Sequence, residues 1–180
     1  YVKELEDDLG ALLLNRTTRQ FSMTEAGHTY YRTAADILKE IDNLADRLGM
    51  ASYQHSADIA GNLIASGSGF ATSRDYAKLG VLYLQDGVWD GERLLPPGWA
   101  DYALTPTHAG TSYAACFRTN IDRLFPDLPA DTAWASGASD QRVFILRRHR
   151  LSVAVSNETD HPMDLAALNR VIATAIASRT

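Results

Sequence analysis

Acidic and imidazole side chains crowd one short stretch near the C-terminus. Glu158, Asp160, His161 and Asp164 lie between a strand-like run and a helix-like run. Carboxylates and imidazoles grouped in a loop can bind a divalent metal, and a bound metal can activate water for hydrolysis. The same stretch also fits a helix N-cap at Asp160 followed by an exposed loop. The sequence therefore leaves a divalent metal cofactor and no cofactor both open.

Two further side chains could carry chemistry. Cys116 is the only cysteine, and it would be a nucleophile if a base lay beside it; otherwise it is a small core residue of a strand. His28 lies near Tyr30 and Tyr31 on a predicted helix, where the three could line a pocket at a dimer seam or simply face water. The other histidines that could approach Cys116 are His55, His108 and His149.

Composition narrows the class of protein. The chain of 180 residues has a net charge of −5, and both the first fifty residues and the remainder are acidic. Nucleic-acid affinity usually rests on a basic surface, so we expect no specific DNA binding. No run approaches the roughly 18 apolar residues of a membrane helix, and the charged start is unlike a signal peptide. We expect a cytoplasmic protein without membrane contact.

The first half is predicted to be helix, hairpin and long helix. Apolar spacing over residues 2–13 predicts a helix with a break near Gly10, and residues 14–23 suit a short hairpin. Thr24 can cap a helix over 24–48 that has a coiled-coil-like seam. This seam either pairs two chains or packs as a core helix. Its apolar residues are Tyr30, Ala34, Ile37, Leu38, Ile41, Leu44 and Leu48.

The second half has the signals of an α+β fold. After a linker-like stretch at 51–70, Thr72 and Asp75 predict a helix start, Asp90-Gly91 a hairpin turn, and Pro96-Pro97 a short helix. A final helix is predicted from Pro162. The strand candidates are Tyr113–Thr119, Thr132–Ala135, Gln141–Arg148 and Leu151–Ser156. We expect a small antiparallel sheet of three or four strands, covered by helices.

The first fifty residues resemble part of a LysR-type regulator. The pattern is Leu5-Glu6-x-x-Leu9-Gly10-x-x-Leu13, then Arg16-Thr17-Thr18-Arg19, then Thr24-Glu25-Ala26-Gly27. The resemblance implies the late recognition helix, the wing and the linker helix that pairs two subunits, without the helices that would precede Tyr1. Because such domains read bases with the front of the recognition helix, it implies at most weak phosphate contacts from Arg16 and Arg19.

Residues 58 to about 178 resemble the C-terminal part of class C β-lactamase-like hydrolases, close to 6-aminohexanoate-dimer hydrolases. The resemblance rests on three runs of residues: Ala71–Gly80, Leu82–Pro96 and Gly98-Trp99. It places Ser139 and Asp140 in that family's third catalytic motif. The family's nucleophile motif, Ser-x-x-Lys, is absent, because no lysine has a serine three residues before it.

Together these patterns predict two parts, residues 1–50 and 51–180. We expect a hydrolase of small ester-like or phosphoester-like substrates, with an active site that is inherited from neither of the two families. The alternatives are a folded chimera without evolved catalysis and a weak DNA-binding remnant. We also expect a homodimer or higher oligomer, in which the helix at 24–48 covers apolar surface of the sheet.

Overall fold

The computed structural model describes residues 2–17, 20–56, 69–107, 112–157, 159 and 161–179. Its helices are α1 (Val2–Leu9), α2 (Glu25–Arg47), α3 (Ser73–Leu84), α4 (Trp99–Leu104) and α5 (Leu165–Ala177). In the described residues, two-stranded antiparallel sheets pair β1 (Leu14–Thr17) with β2 (Gln20–Met23), β3 (Gln54–His55) with β4 (Gly69–Phe70), and β5 (Val88–Trp89) with β6 (Glu92–Arg93). A four-stranded antiparallel sheet contains β7 (Arg118–Thr119), β8 (Ala133–Ser136), β9 (Arg142–Leu146) and β10 (Leu151–Val155). The predicted α+β class is confirmed.

The four-stranded sheet lies between two helical layers. Side chains alternate across a strand, so neighbouring residues of β9 enter different cores. Phe144 packs with Trp134 and with Ile172 of α5 on one face. Ile145 packs with Leu104 of α4 on the other. Both faces of the sheet are therefore buried by helices of the same chain.

Helix α3 approaches the sheet closely at one glycine. A Cβ atom at Gly80 would lie 2.1 Å from the Ser152 hydroxyl oxygen and 3.2 Å from a methyl carbon of Val143. The same hydroxyl donates a hydrogen bond to the Ala77 carbonyl at 3.0 Å, which ties β10 to α3. The helix can sit this low because residue 80 has no side chain.

Local signals placed most element ends correctly. The Thr24 hydroxyl accepts from Gly27 N at 3.0 Å, and the Thr72 hydroxyl accepts from Asp75 N at 3.3 Å, so both predicted N-caps are confirmed. Helix α1 ends just before Gly10, whose φ is +63°. The turn between β5 and β6 has positive φ at Asp90 and Gly91, as a two-residue hairpin turn requires.

Two predicted boundaries were wrong. The strand expected over Tyr113–Thr119 is interrupted by a turn in which Ala114 N donates to the Phe117 carbonyl and Cys116 has a φ of +65°. Cys116 is consequently exposed, and its interpretation as a strand core residue was also wrong. The last helix begins at Leu165 rather than Pro162, because the Asp164 carboxylate caps it by accepting from Ala167 N at 2.9 Å.

Within one chain the long helix does not cover the sheet, and its covering role in an oligomer stays a prediction. Its last turns bring Ala45 and Leu48 against Leu82 of α3, which itself separates α2 from the strands. Further toward its start, three large side chains of the seam, Tyr30, Ile37 and Ile41, are exposed, and so is the adjacent Tyr31. Among the described residues, no helix has the length and apolar content to cross a membrane.

Candidate functional site

An acid–imidazole pair bridges α2 and the hairpin that follows it. Asp42 lies on α2, and a turn after Leu48 brings the chain back so that His55 on β3 comes beside it. His55 Nδ1 lies 3.1 Å from Asp42 Oδ1. The imidazole is only 6% exposed, whereas the carboxylate is 46% exposed. The pair therefore has one sheltered member and one member open to water.

One tyrosine contacts this pair, and a second bonds to the strand beside it. The Tyr53 ring meets the His55 ring edge-on, with centroids 5.5 Å apart. Burial raises the pKa of the Tyr53 hydroxyl, and the nearby Asp42 carboxylate raises it further. Tyr76 on α3 donates its hydroxyl to the Gly69 carbonyl at 2.7 Å and so holds β4 beside β3. The Tyr53 phenol therefore stays protonated at neutral pH and has a hydrogen to donate.

A second set of bonds fixes the chain between α2 and β3. Ser52 N donates to Asp75 Oδ2 at 2.8 Å, and Thr72 N donates to the Ser52 hydroxyl at 2.9 Å. Lys78 joins Asp75 at 2.7 Å and also donates to the Gly49 carbonyl. The Lys78 and Ser52 hydrogen bonds lower the pKa of Asp75 to about 2. The segment 49–53 is therefore held against α3, and His55 follows it directly.

The pair has the arrangement of a general base and its orienting acid. When Nδ1–H of a neutral histidine donates to a carboxylate, Nε2 carries the lone pair and can accept a proton. No described residue forms a hydrogen bond with His55 Nε2. Asp42 and His55 were not among the predicted site residues. Their meeting depends on the path of the turn at 48–53, and nothing in the residue spacing indicates it.

Ser139 and Asp140 lie in the loop between β8 and β9, and their assignment to a catalytic motif stays a prediction. Both have positive φ, +53° and +63°, which is uncommon for residues other than glycine. Asp140 Oδ1 accepts from Arg142 Nη2 at 2.8 Å, and Oδ2 accepts from Met163 N at 3.2 Å. The Arg142 hydrogen bond lowers the pKa of Asp140. Asp140 thus ties this loop to the segment leading into α5, while the Ser139 side chain is exposed.

The predicted metal ligands lie only partly within the described residues. Glu158 and Asp160 fall outside them. The His161 side chain is exposed, and its carbonyl accepts from Asn157 Nδ2 at 3.0 Å. Asp164 is used as the α5 cap. Within the described ranges, no group of three or more histidine, cysteine or acidic side chains is placed to hold a metal. The four-residue site remains a prediction.

The other predicted residues are not brought together by hydrogen bonds. Cys116 lies in the turn before β7, where no described histidine bonds to it, and His28 lies exposed on α2. The backbone of Arg16 pairs with Phe21 in the first hairpin. The Arg16 side chain and all of Arg19 lie outside what the structure describes. Their predicted roles therefore remain predictions.

Comparison with known proteins assigns different likenesses to different parts of the chain. Its N-terminal part is similar in sequence to helix-turn-helix regulators of the LysR type. As a structure, most of the chain shares its fold with a 6-aminohexanoate-dimer-hydrolase-like protein. No protein-family model matches the chain. The likenesses are those of a chimera.

The particular relatives cover short segments. The regulator CrgA of Neisseria meningitidis serogroup B (strain MC58) is 60% identical over 40 residues, which are 22% of this chain and 13% of CrgA. The regulator YhjC of Escherichia coli K12 is 38% identical over 89 residues, 48% of this chain and 28% of YhjC. That second alignment is longer than the fifty residues predicted to be regulator-like.

One structural relative is a 6-aminohexanoate-dimer-hydrolase-like protein from Bacillus anthracis. It superposes with a TM-score of 0.57 at 15% identity, covering 76% of this chain and 37% of the relative. At that identity the likeness describes the fold alone. This chain thus spans well under half of each protein it resembles.

Proposed function

We propose that this protein hydrolyses small ester-like or phosphoester-like molecules at the junction between α2 and the hydrolase-like fold. The observation that supports the proposal is the Asp42–His55 pair, whose members come from the two parts of the predicted fusion. The hydrolase-like neighbour lends the reaction class by analogy only, since one fold hosts many chemistries.

The pair would act on a water molecule. His55 Nε2 removes a proton from water while Asp42 stabilises the resulting imidazolium through Nδ1–H. The hydroxide adds to the ester carbonyl carbon, and the tetrahedral intermediate collapses by breaking the bond to the alcohol oxygen. The departing oxygen takes the proton from Nε2, which restores the neutral histidine. One water is consumed for each acid and alcohol formed.

Hydrolysis of an activated ester, p-nitrophenyl acetate, tests the mechanism. Loss of a general base typically costs about 10²–10⁴ in rate, so His55→Gln is expected to lower kcat/KM by about 100-fold or more. Asp42→Asn should lower it less, because the imidazole remains. Asp46→Asn is the matched control, since Asp46 lies on the same helix, has an exposed side chain and is outside the Asp42–His55 pair.

Three outcomes would contradict the proposal. Unchanged rates in His55→Gln would remove the pair from the mechanism. Activity abolished by a chelator would favour the predicted metal ligands Glu158, Asp160, His161 and Asp164 instead. A rate equal to that in buffer would favour a folded chimera without evolved catalysis.

We also propose that two copies pair along α2. One face of this helix exposes Ile37 and Ile41, which are 56% and 38% accessible, with Thr33, Asp36, Glu40 and Leu44 around them. Exposed apolar seams of this kind are buried when helices associate. Sedimentation at micromolar concentration should show a dimer, and Ile37→Asp with Ile41→Asp should give a monomer. A wild-type monomer would rule this pairing out.

A weak DNA-binding remnant is a second candidate function, favoured by the likeness to helix-turn-helix regulators. The acidic net charge disfavours it. A gel shift with random duplex DNA at low salt tests it, and binding should disappear in Arg16→Ala with Arg19→Ala. Absence of any shift at low salt would dismiss this function.

A further inference from the structure

Buried nitrogen donors without hydrogen-bond partners lie under the loop between β8 and β9. Arg142, the first residue of β9, has a side chain only 10% exposed. One of its nitrogens, Nη2, donates to Asp140. Its Nε and Nη1 are buried and have no hydrogen-bond partner within the described part of the chain. Nearly all buried polar groups in proteins are paired, so these two require an explanation.

A neighbouring indole has the same deficit. Trp134 is 2% exposed, and its Nε1–H is also buried without a partner among the described residues. Both side chains flank Phe125: the Trp134 ring centroid lies 5.2 Å from that of Phe125, and the Arg142 guanidinium carbon lies 5.8 Å from it. Arg142 and Trp134 also point to the same face of the sheet, because Arg142 pairs with Ser136, two residues along β8 from Trp134.

Every unpaired nitrogen here is a donor, so what is missing is an acceptor. The Asp140 oxygens accept from Arg142 Nη2 and from Met163 N, and neither of them accepts from Nε or Nη1 of Arg142. An arginine with N–H groups to spare suits an oxyanion, since the planar guanidinium matches the oxygens of carboxylate and phosphate. Ser136, which pairs with Arg142 across the sheet, and Ser139 in the loop are both exposed at this end of the sheet.

We propose that Arg142 and Trp134 form a binding site for a small oxyanion, a carboxylate or a phosphate, beneath the β8–β9 loop. The site is separate from the Asp42–His55 pair and does not depend on the proposed hydrolysis. The two consecutive residues with positive φ, Ser139 and Asp140, are consistent with a loop shaped around a ligand, because such backbone strain collects at ligand-binding sites.

The test is an NMR titration of the ¹⁵N-labelled full chain with inorganic phosphate and, separately, with acetate, at constant ionic strength. We expect saturable shifts of the Trp134 indole N–H and the Arg142 Nε–H signals. The indole signals of Trp89 and Trp99 serve as internal controls and should not move. The arm with the lower half-saturating concentration identifies the preferred anion.

Variants decide whether Arg142 itself binds. Arg142→Lys keeps the positive charge but loses the planar guanidinium group that can bind two oxygens at once. It should raise the half-saturating anion concentration at least tenfold. Arg148→Gln is the matched control, because Arg148 is 76% exposed and pairs with Asp131 on the same domain; its titration should match wild type. Equal affinity in Arg142→Lys, shifts that never saturate, or no shift would each overturn the proposal. The last result would leave buried water as the acceptor.

Discussion

The N-terminal helices and the sheet unit, which is the sheet β7–β10 with α3, α4 and α5, differ in how far they bury their apolar residues. In the sheet unit, Trp134, Phe144 and Ile145 are all buried, between α5 on one side and α4 on the other. In α2, large seam residues such as Tyr30 and Ile37 are 41% and 56% exposed. The sheet unit therefore completes its own core, whereas most of α2 has its apolar face uncovered within one chain.

This contrast indicates where stability resides and where association would occur. Burial of apolar area is the main favourable term in folding, and it is concentrated in the sheet unit. The seam of α2 contributes little to the stability of a single chain, and its burial would contribute more to the stability of a dimer. The regulator-like part is tied to the rest through Leu48 packed on Leu82, and through the pair formed by Asp42 and His55.

The largest expected effect is a core truncation. Phe144→Ala should lower the free energy of unfolding by about 3–5 kcal/mol, because it leaves a cavity between Trp134 and Phe125. Ile37→Ala, at the exposed seam, should cost less than about 1 kcal/mol in a monomeric background. Urea denaturation measures both. Similar costs would erase the contrast between the two regions.

A smaller effect is expected within the regulator-like part. Glu6 is 5% exposed, and its Oε1 accepts from Leu13 N at 2.8 Å and Leu14 N at 3.0 Å. Glu6→Ala should cost about 1.5–3 kcal/mol, the usual contribution of hydrogen bonds to a charged group. Faster amide exchange at Leu13 and Leu14 would report the loss. Exposed Glu40→Ala is the control, and equal exchange in both would contradict the role of Glu6.

A third effect tests the close approach of α3 to the sheet. Gly80→Ala should cost about 1–3 kcal/mol, because the new Cβ overlaps the Ser152 hydroxyl. Adding Ser152→Ala removes that oxygen and should recover part of the loss. A thermal melt of the single and double variants measures the recovery. Additive losses would mean that the glycine is needed for another reason.

The smallest effect concerns pH. The pKa of Asp75 is lowered to about 2 in the folded chain, below its usual 3.8. The stabilisation from its bonds is therefore present above pH 4 and is lost as the pH falls from about 4 toward 2. Urea midpoints of Asp75→Asn should decline less steeply over that range than those of wild type. Parallel curves would show that Asp75 does not contribute to the acid dependence.

Sequence predicted what local chemistry determines. Thr24, Thr72 and the Asp90-Gly91 turn act through neighbours within a few residues, so their elements were placed correctly. The positive φ of Cys116 has no such signal, since it comes from a turn that returns Arg118 to a bridge with Tyr113. Asp42 and His55 could not be paired in advance either, because their contact depends on how Ser52 and Lys78 fasten the connection to α3. The roles predicted for Ser139, Asp140 and the loop at 158–164 remain to be tested.

The fastening of residues 49–52 onto α3 has a mechanical consequence. The chain immediately after α2 is bonded to α3 through Ser52, Asp75 and Lys78. This connection fixes the direction in which α2 extends from the sheet unit. With 23 residues rising about 1.5 Å each, the helix is roughly 35 Å long. A partner bound to the N-terminal end of α2 would therefore hold the sheet unit at a fixed distance and orientation.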